Sequence, residues 1–110
     1  MLTDVAEPAR PTLSVAVPVY MEAEGIAEFH RRLLDVLTSL DAIDSWEVVY
    51  VDDGYRDETP ALLRAFAERD HRVRVITFYR NFGHQAAITA AMEHSAGNAI
   101  VVIDSDLQDP

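Results

Sequence analysis

At 110 residues, with 49% apolar and 25% charged residues, the chain has the make-up of one ordinary globular domain. Nineteen acidic against nine basic residues leave a net charge of −10, which argues against non-specific binding to nucleic acid or to an anionic membrane surface. Cysteine and lysine are both absent; this excludes disulfides, thiolate–metal sites, a lysine-bearing phosphate loop and Schiff-base chemistry, and it speaks against a receiver-type phosphoryl acceptor.

Met1 to Thr12 is polar, carries Pro8 and Pro11, and lacks the apolar centre of a signal peptide, so residues 1–12 read as a loose, cytoplasmic arm. No run approaches the ~18 apolar residues of a membrane span. Residues 13–110 form a single unit with no repeat or linker. Leu13 to Val17 reads as a buried strand, ended by Pro18 because proline donates no ladder bond. Ile26, Phe29, Leu33, Leu34, Leu37 and Leu40 then recur on one face of a helix, with Glu28, Arg31, Arg32 and Asp35 opposite. Trp46 to Val51 is a second strand, running into Asp52-Asp53-Gly54, where Gly54 suits a sharp turn.

Asp57 or Thr59 caps the next helix, Pro60 fits its first turn, and Leu62, Leu63 and Phe66 form its apolar stripe. Val73 to Phe78 is the third strand. A helix over about Gln85 to Ser95 carries Ala86, Ala87, Ala90 and Ala91, which suits close approach to the sheet, and Gly97 is its expected stop. Ala99 to Ile103 is a continuous apolar run of the kind that forms a strand buried on both faces. The pattern βαβαβαβ predicts an α/β fold, a Rossmann-like parallel sheet with helices on both faces. With strands in the order 3-2-1-4, the last one lies at an open apolar edge, which invites pairing between chains.

Ligands of such sheets bind beyond the carboxyl ends of the strands. Tyr20 and Glu22, Asp52 and Asp53, Arg80 and Asn81, and Asp104 and Asp106 each follow a strand, so one shared site is expected. Asp104-Ser105-Asp106-Leu107-Gln108-Asp109-Pro110 is the richest stretch. Two carboxylates about 4 Å apart repel by roughly 4 kcal/mol at an effective dielectric near 20, a cost that a divalent cation removes. Asp104 and Asp106, with the Gln108 amide oxygen, suit Mg²⁺ or Mn²⁺ holding a diphosphate; the plainer alternative is a solvated acidic loop. Asp52 and Asp53 serve either a turn or the N–H and hydroxyl groups of a nucleoside. Arg80 either grips a phosphate or neutralises an aspartate. His84 near a helix start either touches phosphate or plays the structural role commoner for a lone histidine, while His30, His71 and His94 lack metal-ligand spacing and read as surface or packing residues.

Val17-Pro18-Val19-Tyr20-x-Glu22, Val51-Asp52-Asp53-Gly54-x-Arg56-Asp57-x-Thr59, Arg80-Asn81-Phe82-Gly83-His84-Gln85-Ala86-Ala87 and the closing Asp104-to-Pro110 segment together resemble family 2 glycosyltransferases of the GT-A fold. The last two motifs are similar to the polyprenyl-phosphate branch, which includes dolichol-phosphate mannosyltransferases and undecaprenyl-phosphate sugar transferases. The resemblance runs from about Leu13 to Pro110. It implies that the Pro18 to Glu22 loop, Tyr20 included, and Asp52 and Asp53 hold the nucleotide of a sugar donor. It places Asp104, Asp106 and Gln108 around the metal and diphosphate, with Asp104 and Asp106 carrying the catalysis, and makes Arg80 a contact for the donor or acceptor phosphate. The implied reaction is inverting transfer of a sugar from a nucleoside-diphosphate donor to a polyprenyl phosphate.

Met21 stands where that family usually has Asn, Tyr55 where it usually has Ser, and Glu58 replaces a frequent Gly. The family continues into an acceptor-binding half and, in this branch, into membrane helices at the cytoplasmic face. The chain is therefore expected to carry the donor half alone and to be inactive by itself. The alternative is a non-catalytic nucleotide- or metal-binding remnant that works through association with another chain.

Overall fold

The computed structural model describes residues 12–53 and 57–105. Within these residues four strands and three helices alternate. They are β1 (Thr12–Val19), α1 (Ile26–Ser39), β2 (Ser45–Asp52), α2 (Thr59–Arg69), β3 (Val73–Thr77), α3 (His84–Glu93) and β4 (Ala99–Val102). All strand pairs are parallel and the order across the sheet is β3-β2-β1-β4, as expected.

Side-chain alternation assigns the two faces. Val15, Val17 and Val19 of β1 and Trp46, Val48 and Tyr50 of β2 meet Ile26, Phe29, Leu33 and Leu37 of α1 and Leu63 of α2. On the other face Ala16, Val49 and Val51 meet Ala87 and Ala91 of α3. The alanines leave no bulk between helix and sheet, so α3 lies close to β1 and β2. Leu40, the last residue of the expected apolar stripe, falls past the end of α1 and is exposed.

Several boundaries differ from expectation for physical reasons. β1 does not stop at Pro18 but continues to Val19. The Ala16 carbonyl accepts from Ile103 on the β4 side and the Val19 carbonyl accepts from Asp53 on the β2 side. Backbone groups alternate along a strand, so Pro18 faces the β4 side, beyond the last paired residue of β4, and no ladder bond is lost there. At α2 the cap position is Glu58, while the Asp57 carboxylate accepts from the Thr59 amide at 2.8 Å.

Helix α3 ends at Glu93, with His94 as its cap, short of Gly97. Gly97 serves a close approach instead. A Cβ there would lie 2.7 Å from both the Ser14 Oγ and the Thr12 carbonyl oxygen. Around it runs a polar network: the Gly97 amide donates to the Ser14 Oγ, and the Ser14 hydroxyl and Ala96 amide donate to the Glu47 carboxylate. Arg74 of β3 bridges Glu47 and the His94 carbonyl.

The apolar run from Ala99 is not buried on both faces. Among the described residues β4 pairs with β1 alone, and Ile100, Val101 and Val102 are 40%, 43% and 41% exposed. An edge strand without a covering helix keeps its composition but not its burial.

Candidate functional site

The carboxyl ends of β1, β2 and β4 and the loop between β3 and α3 open onto one cleft of about 450 Å³. Pro18 near the end of β1 and Tyr20 and Glu22 after it form one wall, Asp53 lies after β2, and Asp104 lies after β4. These five expected site residues are brought together. The Glu22 loop is held from below: its amide donates to the buried Thr59 hydroxyl at 3.2 Å, and its carbonyl accepts from Gly25 and Ile26 at the start of α1. Between Tyr20 and Glu22 the backbone passes through the left-handed region at Met21, with φ 53°.

Asp53 is 4% exposed and supports the opposite wall. Its Oδ1 accepts from the Phe82 amide at 3.0 Å and the Gly83 amide at 3.2 Å. Gly83 sits at φ 99°, a conformation open to glycine and strained for other residues. Its amide also donates to the Asn81 Oδ1 at 2.8 Å. One carboxylate thus holds the β3–α3 loop against the end of β2.

Two expected residues stand elsewhere. Asp52 is buried as the last residue of β2, its carbonyl accepting from Phe78 at 3.0 Å, and it does not line the cleft. Arg80 also lies outside the lining. Its guanidinium stacks on Phe82 and Tyr79, 4.7 and 5.8 Å from their ring centroids, and Tyr79 is 84% exposed. Asp106 and Gln108 fall outside the described residues.

Asn81, of the expected strand-end clusters, and His84, a candidate phosphate contact, line the cleft, as do Gly83, Ala87 and Ser105, to which the motifs assign no contact. His84 Nε2 stands 3.9 Å from Asp104 Oδ1, an attraction that exists only when the imidazole is protonated. The hint for Gly83 was its glycine identity in a loop.

Among the described residues, no group of three or more histidine, aspartate or glutamate side chains is arranged to hold a metal ion. The donor type nevertheless fits a hard cation. Asp104 presents an exposed carboxylate, and Glu22 and Asp53 add negative charge to the same cleft. A diphosphate enters such surroundings at a heavy Coulomb cost unless a cation accompanies it.

Residues 14–110 match the sequence model for "Glycosyl transferase family 2". The chain belongs to glycosyl transferase family 2. An uncharacterized glycosyltransferase of Bacillus subtilis (strain 168) is 48% identical over 97 residues, which are 88% of this chain and 29% of that protein. An undecaprenyl-phosphate 4-deoxy-4-formamido-L-arabinose transferase of Pseudomonas paraeruginosa is 42% identical over 99 residues, 89% of this chain and 29% of that one.

Solved structures of similar fold include a mannosyltransferase from Pyrobaculum calidifontis in complex with GDP-mannose and Mn²⁺, at TM-score 0.73 and 32% identity over 90% of this chain and 28% of that one. A second is Staphylococcus aureus TarS 1–349 in complex with UDP, at TM-score 0.69 and 28% identity over 86% of this chain and 27% of that one. The chain thus spans about three tenths of the length of the curated relatives it matches. Two departures from the family 2 pattern fall among the described residues: Met21, at the left-handed position, and Glu58, at the cap of α2. Tyr55 lies outside them.

Proposed function

We propose that this chain is the donor-binding part of a glycosyltransferase that moves a sugar from a nucleoside-diphosphate sugar to a polyprenyl phosphate. The observation that carries the reading is the convergence of Pro18, Tyr20, Glu22, Asp53 and Asp104 on one cleft at the carboxyl ends of the sheet, in a member of family 2. The similarity to an undecaprenyl-phosphate sugar transferase supports the lipid acceptor, and the complexes with GDP-mannose and with UDP support the donor class.

In this reading the walls formed by the Tyr20–Glu22 loop and by Asp53 hold the nucleoside, and Asp104, with Asp106 and Gln108, lies toward the diphosphate. Mg²⁺ or Mn²⁺, when bound there, neutralises charge on the departing diphosphate. An acceptor phosphate oxygen attacks the anomeric carbon from the face opposite the diphosphate. The new C–O bond forms as the old one breaks, the nucleoside diphosphate leaves, and the configuration inverts. The attacking oxygen is already ionised at neutral pH, so no strong base is required of the protein. Activity requires acceptor-binding segments beyond this chain.

Calorimetry with UDP- and GDP-sugars, with and without MnCl₂, tests the reading. Weak binding that needs the metal, and that Asp104→Ala abolishes, is the expected result. A folded sample that binds none of these donors would overturn it. A defined oligomer with no nucleotide response would instead favour the non-catalytic remnant, which the open β4 edge supports.

A further inference from the structure

The loop that carries Tyr20 and Glu22 along the cleft wall holds a strained residue at its centre. Met21 sits at φ 53°, an unfavourable region for L-residues that persists where the surroundings over-determine it. On one side the loop is fastened to the start of α1, because the Glu22 carbonyl accepts from the Gly25 and Ile26 amides at 3.1 and 2.9 Å. On the other it is fastened to the end of β2, because the Val19 carbonyl accepts from the Asp53 amide at 2.9 Å. The peptide group that joins Met21 to Glu22 lies between these holds, and its N–H donates to the Thr59 Oγ1 at 3.2 Å.

Thr59 opens α2, is fully buried and stands outside the cleft lining. The Asp57 carboxylate serves the helix end, accepting from the Thr59 amide at 2.8 Å, which leaves the Thr59 hydroxyl for the loop. One turn further on, Leu63 is buried in the core with residues of β1 and β2, so α2 is a fixed support. The hydroxyl thus ties two segments 37 residues apart in sequence, at the peptide group next to the strained residue.

We infer that Thr59 is a positioning residue of the cleft: its hydroxyl fixes the peptide group after Met21 and so keeps Tyr20 and Glu22 in place on the wall. The inference rests on the reading of the cleft as the donor-nucleotide site. Without this bond Met21 relaxes toward the ordinary negative-φ region, and rotation there re-aims the residues on either side of it. The loop must then be re-ordered each time a nucleotide binds. Apparent affinity falls by the fraction of molecules that hold the competent loop.

Thr59→Val keeps the shape of the side chain and removes the hydroxyl. Calorimetry on the 110-residue chain with UDP- and GDP-sugars in MnCl₂ is expected to show binding weakened about tenfold, the scale of releasing one strained residue. Thr59→Ser restores the oxygen and is expected to recover binding to within about twofold. Amide hydrogen exchange supplies a local readout. Relative to the core amides of β2, Glu22 is expected to exchange about tenfold faster in Thr59→Val than in the parent or in Thr59→Ser. A Thr59→Val variant that binds like the parent overturns the inference and leaves the donor reading standing, as does a Thr59→Ser variant that binds as weakly as Thr59→Val. Should Thr59→Val fail to fold, the parent and Thr59→Ser still decide: a Glu22 amide unprotected in both overturns the inference, and one protected in both supports it. Failure of the folded parent to bind any of these donors overturns the donor reading and the inference together.

Discussion

At Met21 the chain carries a long apolar side chain at φ 53°, where L-residues other than Asn, Asp and Gly are rare. The resemblance to family 2 puts Asn at this position, and its short polar side chain tolerates that backbone. Met21→Asn is therefore expected to stabilise the fold by about 1 kcal/mol. Urea unfolding checks it: the midpoint rises while the slope stays constant. An unchanged midpoint would remove strain as the reason for the family preference. The same scale shows where sequence reading stops. Arg80 and Asn81 are adjacent and both polar, yet Asn81 lines the cleft and Arg80 stacks on Phe82 and Tyr79. Neighbours in an irregular loop point different ways, and nothing in the order of residue types says which faces inward. Asp52 and Asp53 pose the same problem at the end of β2, where one is buried and the other reaches the cleft. Pro18, Tyr20 and Glu22 were legible because a strand end and a short loop leave them one direction to face.

Elements rest on two polar arrangements that hydrophobic periodicity does not reveal. His30 of α1 stacks on Phe66 of α2 at 4.1 Å and bonds the Tyr50 hydroxyl at 2.6 Å. It is a packing residue, as its lack of metal-ligand spacing suggested. Burial pushes its pKa below the ordinary histidine value, against the pull of the Asp70 charge. The unfolded chain then takes up the proton more readily, so stability is full above about pH 6.5 and is lost as pH falls toward the folded value. Urea midpoints are expected to drop between pH 7.5 and 5.5, and His30→Phe should flatten that drop. An equal drop in the variant would assign it to other groups. Glu47 is the second case. Burial alone would raise its pKa, but the bonds from Ser14, Ala96 and Arg74 outweigh that and lower it. Glu47→Ala leaves those donors unmet and is expected to cost about 2 kcal/mol by urea unfolding. A loss under about 0.5 kcal/mol would show that water replaces the carboxylate there. Strand and helix order needed none of this, since apolar runs and alanine spacing carry it. The end of α3 did, because Gly97 is required by Ser14, far away in sequence.

For the whole molecule the decisive feature is an apolar edge on an acidic body. Among the described residues β4 has one partner, and its exposed Ile100, Val101 and Val102 put apolar surface beside an open backbone edge. A net charge of −10 holds copies apart at low ionic strength. Static light scattering is therefore expected to show self-association that grows with protein concentration and with added salt, which screens the repulsion over about 10 Å at 0.1 M. Val101→Lys should suppress it by charging the edge. A parent chain that stays monomeric in both series would show that the edge is guarded. The edge position of β4 among the described strands was legible early, because a βαβαβαβ pattern with its first strand central leaves the fourth strand outermost.

The same strand order has a consequence for synthesis. β1 is made before the other three described strands, yet it sits between β2 and β4, and β4 leaves the ribosome after β2 and β3. A three-stranded intermediate of β1, β2 and β3 is complete on one side long before Ala99 emerges. Until then the β1 edge that accepts Ala99–Val102 is open, and the Ser14 hydroxyl waits for the Gly97 amide. Closing that long loop carries an entropic cost that pairing of strands nearer in sequence does not. The nascent chain is thus most vulnerable to misassembly in the interval between completion of β3 and arrival of β4.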